Sequence, residues 1–508
     1  MLAPTGPESV AFDEHAIQEL GVPQPVLMEN AGRAAATILD RLYPDGPVFG
    51  VVGAGNNGGD ALVLLRTLRS WGRDVRAVVV ADRDLEDPLL HGWSFPVASD
   101  SEADDAIWSS WTSEAAVLVD GVLGTGVRGA PRDRQAAAIR RVNAGERPVL
   151  AIDVPSGIDA TSGDVPGEAV RADVTVAFGA PKLGCLLHPA RGLVGRHVAV
   201  EIGFPPLAES AASARVVTPA WAQRLVPSRS TDTHKNAVGR VLIVAGGVGM
   251  AGAAVLAARG AFRAGAGLVR VCSVPENREV IQASVPEAIY VDVTDHDAFT
   301  LAWSMSDAAA VGPGLGTGEA GRAAVEAVTR AAALPTLLDA DALNFAAGGG
   351  VDLRVLSASR PVLITPHAGE MARLMSPVDS GAARVDLTRQ AASTFGCVVL
   401  FKGAPSLVAG GDGPVLVDTQ SASDLAVAGM GDALTGVCVG LMAQGLVPIN
   451  AAAVGLYLSG RAARLAGRGS ALTPSDVLRW LPEALQERGD GVSDLDLPFV
   501  TFDADAAR

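Results

Sequence analysis

Short runs of Val, Ile, Leu and Ala recur along the chain without alternation. Each is closed by Gly, Pro or Asp and followed by a longer stretch of helical periodicity. Residues 48–55 (VFGVVGAG), 73–81, 115–122, 148–155, 172–180 and 197–204 read as strands, and 60–72 as a helix. Unbroken apolar runs suit strands covered on both faces, which predicts a parallel α/β sheet. Over 206–232 the pattern lapses into Pro, Ser, Ala and Thr, which predicts a linker. It resumes with strands at 238–247, 268–274, 308–314, 335–341, 361–366 and 398–403, and with a helix from about Gly252. Residues 406–418 place turn residues between two alternating runs, the signature of a hairpin. The C-terminal part is mostly helical. Two α/β domains follow, 1–217 and 218–508, and no internal repeat relates them.

Composition narrows the function classes. With 49% hydrophobic and 19% charged residues the chain is too apolar for disorder and ordinary for an enzyme. A net charge of −16 with no basic block excludes binding to nucleic-acid phosphates. Cys185, Cys272, Cys397 and Cys438 form no close pair, which argues against a disulfide framework or a zinc site. The start, MLAPTGPESV, lacks the charged and apolar regions of a secretory signal, so a cytoplasmic protein is expected. Residues 433–460 carry no charge and are long enough to cross a bilayer. Gln444, Pro448 and Asn450 cluster inside that stretch, so two buried helices joined by a turn are expected and no membrane span. Only three lysines occur, Lys182, Lys235 and Lys402, and in so arginine-rich a chain each marks a place where arginine's rigid fork does not serve.

Gly53, Gly55 and Gly58 form a GxGxxG between a strand and a helix, where free N–H groups can receive a pyrophosphate. Asp82 follows at the end of the next strand, about where a ribose-binding acid would stand. Alone this pattern is equally a structural turn, and Gly247, Gly249 and Gly252 repeat it. Its surroundings are more specific: LMENAG (27–32), GNNGGDA (55–61), DGVLGTG (120–126), AIDVPSGIDATSGDV (151–165) and FGAPKLG (178–184), the last containing Lys182. Over roughly 10–205 the chain resembles the NAD(P)H-hydrate epimerase family. The resemblance implies a Rossmann-like α/β/α sandwich that interconverts the R and S epimers of NADHX and NADPHX. It implies ligand contacts at Asn56, Asn57, Gly58, Gly59 and Asp60, and at Gly124, Thr125, Gly126, Val127, Arg128 and Gly129. It further implies a K+ ion held by Asn57, Asp120 and Ser156. Asp153 is then the substrate-contacting acid/base candidate, since proton transfer to the hydrate's hydroxyl lets it leave and return. Ala61 stands where the family usually has glycine.

A second constellation is Gly429, Met430, Gly431 and Asp432, just before the uncharged helical segment. Gly-x-Gly-Asp at a helix start offers N–H groups to a phosphate and a carboxylate to a hydroxyl proton, the pairing phosphoryl transfer needs. No Walker A motif exists. Alone, Asp432 is equally a helix cap. THKNAVGRVLIVAGG (233–247), RAGAGLV (263–269), GPGLG (312–316), LLDADALN (337–344), TPHAGEMARL (365–374), KGAPS (402–406) and LTPSDVLRWLP (472–482) accompany it. Over about 218–490 the chain resembles the ribokinase-like NAD(P)H-hydrate dehydratase family. This implies dehydration of S-NAD(P)HX with ADP and Mg2+, giving AMP and phosphate. By motif, Ala253, Gly314, His367 and Asp432 contact the hydrate, with Asp432 as base. Lys402, Gly403, Ala404, Pro405, Ser406 and Gly431 bind the nucleotide. Asp339 and Asp341 are left outside the site, as loop caps. Asn236, Ser406, Ser421 and Met430 depart from the family's usual residues, and Met430 is expected still to donate its N–H to the anion.

The whole chain thus resembles bifunctional NAD(P)H-hydrate repair enzymes, with small-molecule partners and, as is common in such families, a homo-oligomer. The competing reading is a ribokinase-like vitamin-precursor kinase with a non-catalytic N-terminal ligand-binding module.

Overall fold

In the computed structural model the described residues are 1–80, 82–83, 87–208, 211–229, 231–232, 234, 238–376, 383–420, 423–487 and 493–505. Lys235, Asn236 and Ser421 lie outside them. Two compact units are present, Met1–Arg215 with Gly491–Arg508, and Val216–Asp490.

The first unit carries β1 (Val48–Val52), β2 (Val75–Val79), β3 (Val97–Ser99), β4 (Val117–Gly121), β5 (Val149–Ile152), β6 (Val174–Phe178) and β7 (Arg196–Val200). These strands are parallel, and all five residues of β1, β4 and β6 are buried, as two-sided coverage requires. The sheet order β7-β6-β5-β4-β1-β2-β3 reverses direction between β1 and β4. At such a switch point the loops leaving the carboxyl ends of adjacent strands diverge and open a crevice.

The second sheet holds β8 (Ala214–Val216), which spans the boundary in the chain, and from the second unit β9 (Arg240–Val244), β10 (Leu268–Ser273), β11 (Ile289–Asp292), β12 (Ala308–Val311), β13 (Thr336–Leu338), β14 (Val362–Ile364), β15 (Val398–Phe401), β16 (Leu407–Ala409) and β17 (Val415–Val417). Its order, β11-β10-β9-β12-β13-β14-β15-β16-β17-β8, switches between β9 and β12. The hairpin expected at 406–418 is β16 and β17, paired antiparallel. The uncharged stretch is two helices, Met430–Ala443 and Pro448–Ala466, joined by a short loop. Among the described residues no helix is long and apolar enough to cross a membrane.

Two expectations need correcting. The stretch 206–232 is not only linker: it contains β8 and the helix Pro219–Leu225, started by the Thr218 side chain. Nor does 218–508 form one domain, because the last strand, β18 (Val500–Ala504), pairs antiparallel with β7. Arg196 on β7 clamps it through Asp503, at 2.8 and 2.6 Å, and Asp494, at 2.6 Å. An edge otherwise open to further pairing is thereby covered.

Candidate active sites

In the first unit a cavity of about 880 Å3 opens at the switch point. The loop after β1 and the first turn of helix Asn56–Ser70 form one wall, and the loop after β4 another. A side chain on Gly53 would place its Cβ 2.0 Å from the Val122 carbonyl oxygen, and one on Gly58 would lie 1.9 Å from that of Gly53. Only glycine permits this approach, so Gly53 and Gly58 are packing requirements that bring two loops together, while Gly55 meets open space. Ala61, fully buried, has its methyl directly over Gly121, where a Cβ would sit 2.6 Å away. The missing side chain at Gly121 accommodates the extra methyl.

Of the sequence-derived residues, Asn56, Asn57, Asp60, Gly124, Thr125, Gly126, Val127, Arg128 and Asp153 line the cavity. Gly58 and Gly59 pack beneath it, Gly59 against Met28, and Gly129 lies off the lining. Asp82 is turned to solvent with Arg134 3.2 Å away, so it is no ribose acid. The expected cation ligands do converge. Asp120, with no exposure, accepts the Ser156 hydroxyl at 2.6 Å and the Ser156 N–H at 2.8 Å. Asn57 Nδ2 donates to the Leu123 carbonyl at 2.8 Å, and Asn57 Oδ1 is buried without a hydrogen-bond partner. Burial pushes the Asp120 carboxyl up to about 6, against the Ser156 bonds.

Asp153 leaves β5 in the left-handed region at φ +63°, a conformation Asp tolerates better than most residues. It forms a buried ion pair with Lys182 and accepts the Phe178 N–H at 3.1 Å. Lys182 also donates to the Phe178 carbonyl at 2.8 Å. Lys182 therefore belongs to the site, as does Asp13, which no motif pointed to. Burial, reinforced by the Asp153 and Asp13 charges, holds the Asp60 carboxyl well above the usual carboxylate range.

In the second unit the candidate groups stand at the carboxyl ends of β12 to β15. Asp339, 2% exposed, follows β13 and is succeeded by Ala340 at φ +49°. It receives Lys402 Nζ at 2.7 Å and the Thr435 hydroxyl at 2.8 Å, so it belongs to the site and is not merely a loop cap. Strain in a non-glycine residue next to a buried ion pair is a mark of a functional position. Asp341 does cap a loop, taking the Gly316 N–H at 2.8 Å. Burial pulls the Lys402 ammonium down, but Asp339 and Glu370 outweigh it and hold it charged.

Asp432 lies in the first turn of helix Met430–Ala443, after Gly429 at φ +85°. Lys402 Nζ lies 3.4 Å from where a Gly431 side chain would begin. Burial, then the charge of Asp339, push the Asp432 carboxyl up to about 6 against the pull of Lys402. Met430 does not offer its N–H, which donates to the Val427 carbonyl at 3.2 Å. The turn's remaining donors are the N–H groups of Gly431 and Asp432, which as first-turn residues have no acceptor within the helix. Ser406 keeps the hydroxyl role its position needs, accepting the Gly403 N–H at 3.2 Å and donating to the Gly403 carbonyl at 3.0 Å. His367 caps helix Ala368–Leu374, with Nδ1 receiving the Gly369 N–H at 3.0 Å and Nε2 lying 3.4 Å from Glu370 Oε1. Gly314, at φ +58°, faces Ala253: a Cβ there would lie 2.9 Å from the Ala253 methyl. Helix Ala251–Arg263 meets helix Met430–Ala443 through Gly260 and Gly436, where a Cβ would lie 2.5 Å from the Ala433 and 2.0 Å from the Ala257 carbonyl oxygens.

Residues 24–184 match the family described as YjeF-related protein N-terminus, and residues 241–482 the family described as NAD(P)H-hydrate dehydratase. A bifunctional NAD(P)H-hydrate repair enzyme Nnr of Salinibacter ruber is 37% identical, over 95% of this chain and 96% of its own. That of Escherichia coli is 34% identical, over 89% of this chain and 87% of its own. A ribokinase-like superfamily protein of Enterococcus faecalis, 22% identical, covers 56% of this chain and 98% of its own with a TM-score of 0.50, a likeness of fold. With that identity sustained along both units, the chain belongs to the family of bifunctional NAD(P)H-hydrate repair enzymes.

Proposed function

We propose that the chain restores hydrated nicotinamide cofactors in two steps. The first unit interconverts R- and S-NAD(P)HX, and the second dehydrates the S epimer with ADP and Mg2+, releasing AMP and phosphate. The observation that carries this reading is that each unit gathers an aspartate and a lysine at the carboxyl ends of its parallel strands: Asp153 paired with Lys182, and Asp432 beside Lys402 and its partner Asp339. A cavity built in this way speaks against an idle N-terminal module.

In the first unit Asp153 exchanges a proton with the oxygen at the reacting carbon, and the loops at Asn56–Asp60 and 124–129 hold the rest of the dinucleotide. In the second, Asp432 accepts the hydroxyl's proton as it attacks the terminal phosphoryl group of the nucleotide. Lys402 and the Gly431 N–H stabilise the charge that develops on the phosphate. Mg2+, when bound with the nucleotide, would supply charge neutralisation for the phosphoryl group in transfer. Loss of the phosphate then regenerates the ring. Mixed R/S-NADHX with ADP and Mg2+ should recover nearly all its reduced-nicotinamide absorbance faster than spontaneous epimerisation allows. Recovery halting at the S fraction would remove the epimerase assignment; none at all would remove the dehydratase assignment.

The Asn57, Asp120 and Ser156 oxygens fit a hard, singly charged cation: one carboxylate, neutral oxygens, and the orphaned Asn57 Oδ1. K+ there would neutralise buried Asp120 and stiffen the two loops that meet over it. Replacing K+ by tetramethylammonium at equal ionic strength should lower the melting temperature, by a few degrees if about 1–2 kcal/mol of binding is lost. Asn57→Ala should abolish that difference. Equal melting of the wild type in both salts would sink the cation assignment.

A further inference from the structure

Epimerisation inverts one carbon. The hydroxyl leaves from one face of the ring and water must add to the other, so a single carboxylate on one wall cannot serve both faces. Asp13 supplies a second group. It lies in the last turn of helix Gly6–Glu14, half-buried, and lines the same cavity as Asp153, Asp60 and Lys182.

The N-terminal strap fixes its place. Thr5 and Glu8 close a capping box at the helix start. The Gly6 N–H donates to Thr161 Oγ1 at 3.1 Å, on the loop that follows Asp153. The Pro4 carbonyl accepts the N–H of Leu183 at 2.8 Å, the residue after Lys182. The helix bearing Asp13 is thus tied to both segments that carry the Asp153–Lys182 pair. Among the described residues the Asp13 carboxyl has no hydrogen-bond or ion-pair partner, although a carboxylate this enclosed normally finds one. Three titratable groups face it: Asp153 from the end of β5, Lys182 from the loop after β6 and Asp60 from helix Asn56–Ser70. Burial, opposed by Lys182 and reinforced by Asp153, pushes it up to about 6, so it carries its proton further towards neutrality than an ordinary aspartate.

We propose that Asp13 is the second acid/base residue of epimerisation, working from the wall made by the N-terminal helix while Asp153 works from the strand ends. The inference rests on the epimerase reading above. In one direction the Asp13 carboxyl gives its proton to the hydroxyl oxygen. The C–O bond breaks, its electron pair leaves with water, and the ring nitrogen's lone pair forms a C=N bond. Water adds to the other face, the C=N pair returns to nitrogen, and Asp153 takes the released proton. Asp13 ends ionised and Asp153 protonated, which is the form the opposite direction uses. Proton exchange with water restores the starting form between turnovers in one direction.

The test is Asp13→Asn and Asp13→Glu in the full chain, with R/S interconversion of NADHX followed by chromatography and normalised to dehydration of S-NADHX by the same preparation. Asp13→Asn should lower kcat by about 10²–10⁴-fold with little change in KM. The limb of the wild-type pH–rate profile that reports the proton donor should vanish, and Asp13→Glu should recover part of the rate. A full rate in Asp13→Asn, or a loss with the pH profile unchanged, overturns the proposal. If instead the wild type dehydrates S-NADHX but does not interconvert the epimers, the epimerase reading itself has failed.

Discussion

Asp432→Asn is expected to slow recovery of reduced nicotinamide from S-NADHX by about 10²–10⁴-fold at saturating ADP and Mg2+, the range a positioned general base contributes. R/S interconversion by the same protein should be unchanged, because Asp432 lies in the second unit. The substitution keeps the size of the side chain and its place in the first helical turn, so KM should move little. The wild type adds a signature in pH. Burial and the Asp339 charge raise the Asp432 carboxyl to about 6, and only its ionised form accepts a proton. The rate should therefore be level above about pH 7 and fall as pH drops through 6, approaching tenfold per unit below it. That limb should be absent from the residual activity of the variant. Were Asp432→Asn to retain a tenth of the wild-type rate, or the wild-type profile to stay level down to pH 5, another group would be the base.

The parts of the fold that were legible in the sequence share one property: their strands are covered on both faces. β1, β4 and β6 are wholly buried and β9 is buried from Val241 onward, so their sequences are nearly continuous apolar runs. β3 and β11 escape the same reading because they are peripheral: Val97–Ser99 is only half-buried, and Ile289 in β11 is 47% exposed. β8 and β18 are short edge strands whose pairing is fixed by partners hundreds of residues away, such as Asp503 with Arg196. No local period encodes that.

The site divides along similar lines. Gly53 to Gly58 stand in a motif whose spacing is itself the geometry, a strand end followed at once by a helix start, while Asp153 directly follows a strand and Asp432 lies in the first turn of a helix. Asp13 sits on a helix that buries only Gly6 and Phe12, so no apolar stripe marks its inward face. Asp339 reads as a cap until Lys402, 63 residues later, arrives from another strand end. Met430 illustrates the reverse failure. Its place in Gly-x-Gly-Asp suggests a phosphate donor, but the preceding turn has already taken its N–H.

Lys182→Met should have the largest effect on the first unit, on stability as well as activity. The lysine is 1% exposed, forms the buried ion pair with Asp153 and donates to the Phe178 carbonyl at 2.8 Å. Methionine fills much the same volume, so the loss is electrical. Asp153 would be left as a buried carboxylate without a counter-charge, next to Asp60 and Asp13, which burial and mutual repulsion already push towards their protonated forms. Removing one member of a buried pair destabilises by about 3–5 kcal/mol. For a unit of this size that corresponds to a fall of roughly 6–20 °C in melting temperature. Lys182→Met with Asp153→Asn removes both charges, and calorimetry should show much of the loss restored, because a neutral pair is less costly to bury than a lone ion. Epimerisation should stay absent in the double variant, since the proton-transferring carboxylate is gone, while dehydration of S-NADHX continues. That split separates the two duties of the pair: Lys182 keeps Asp153 charged and aimed, and Asp153 does the chemistry. A Lys182→Met protein that melts with the wild type and epimerises at its rate would show that the pair performs neither.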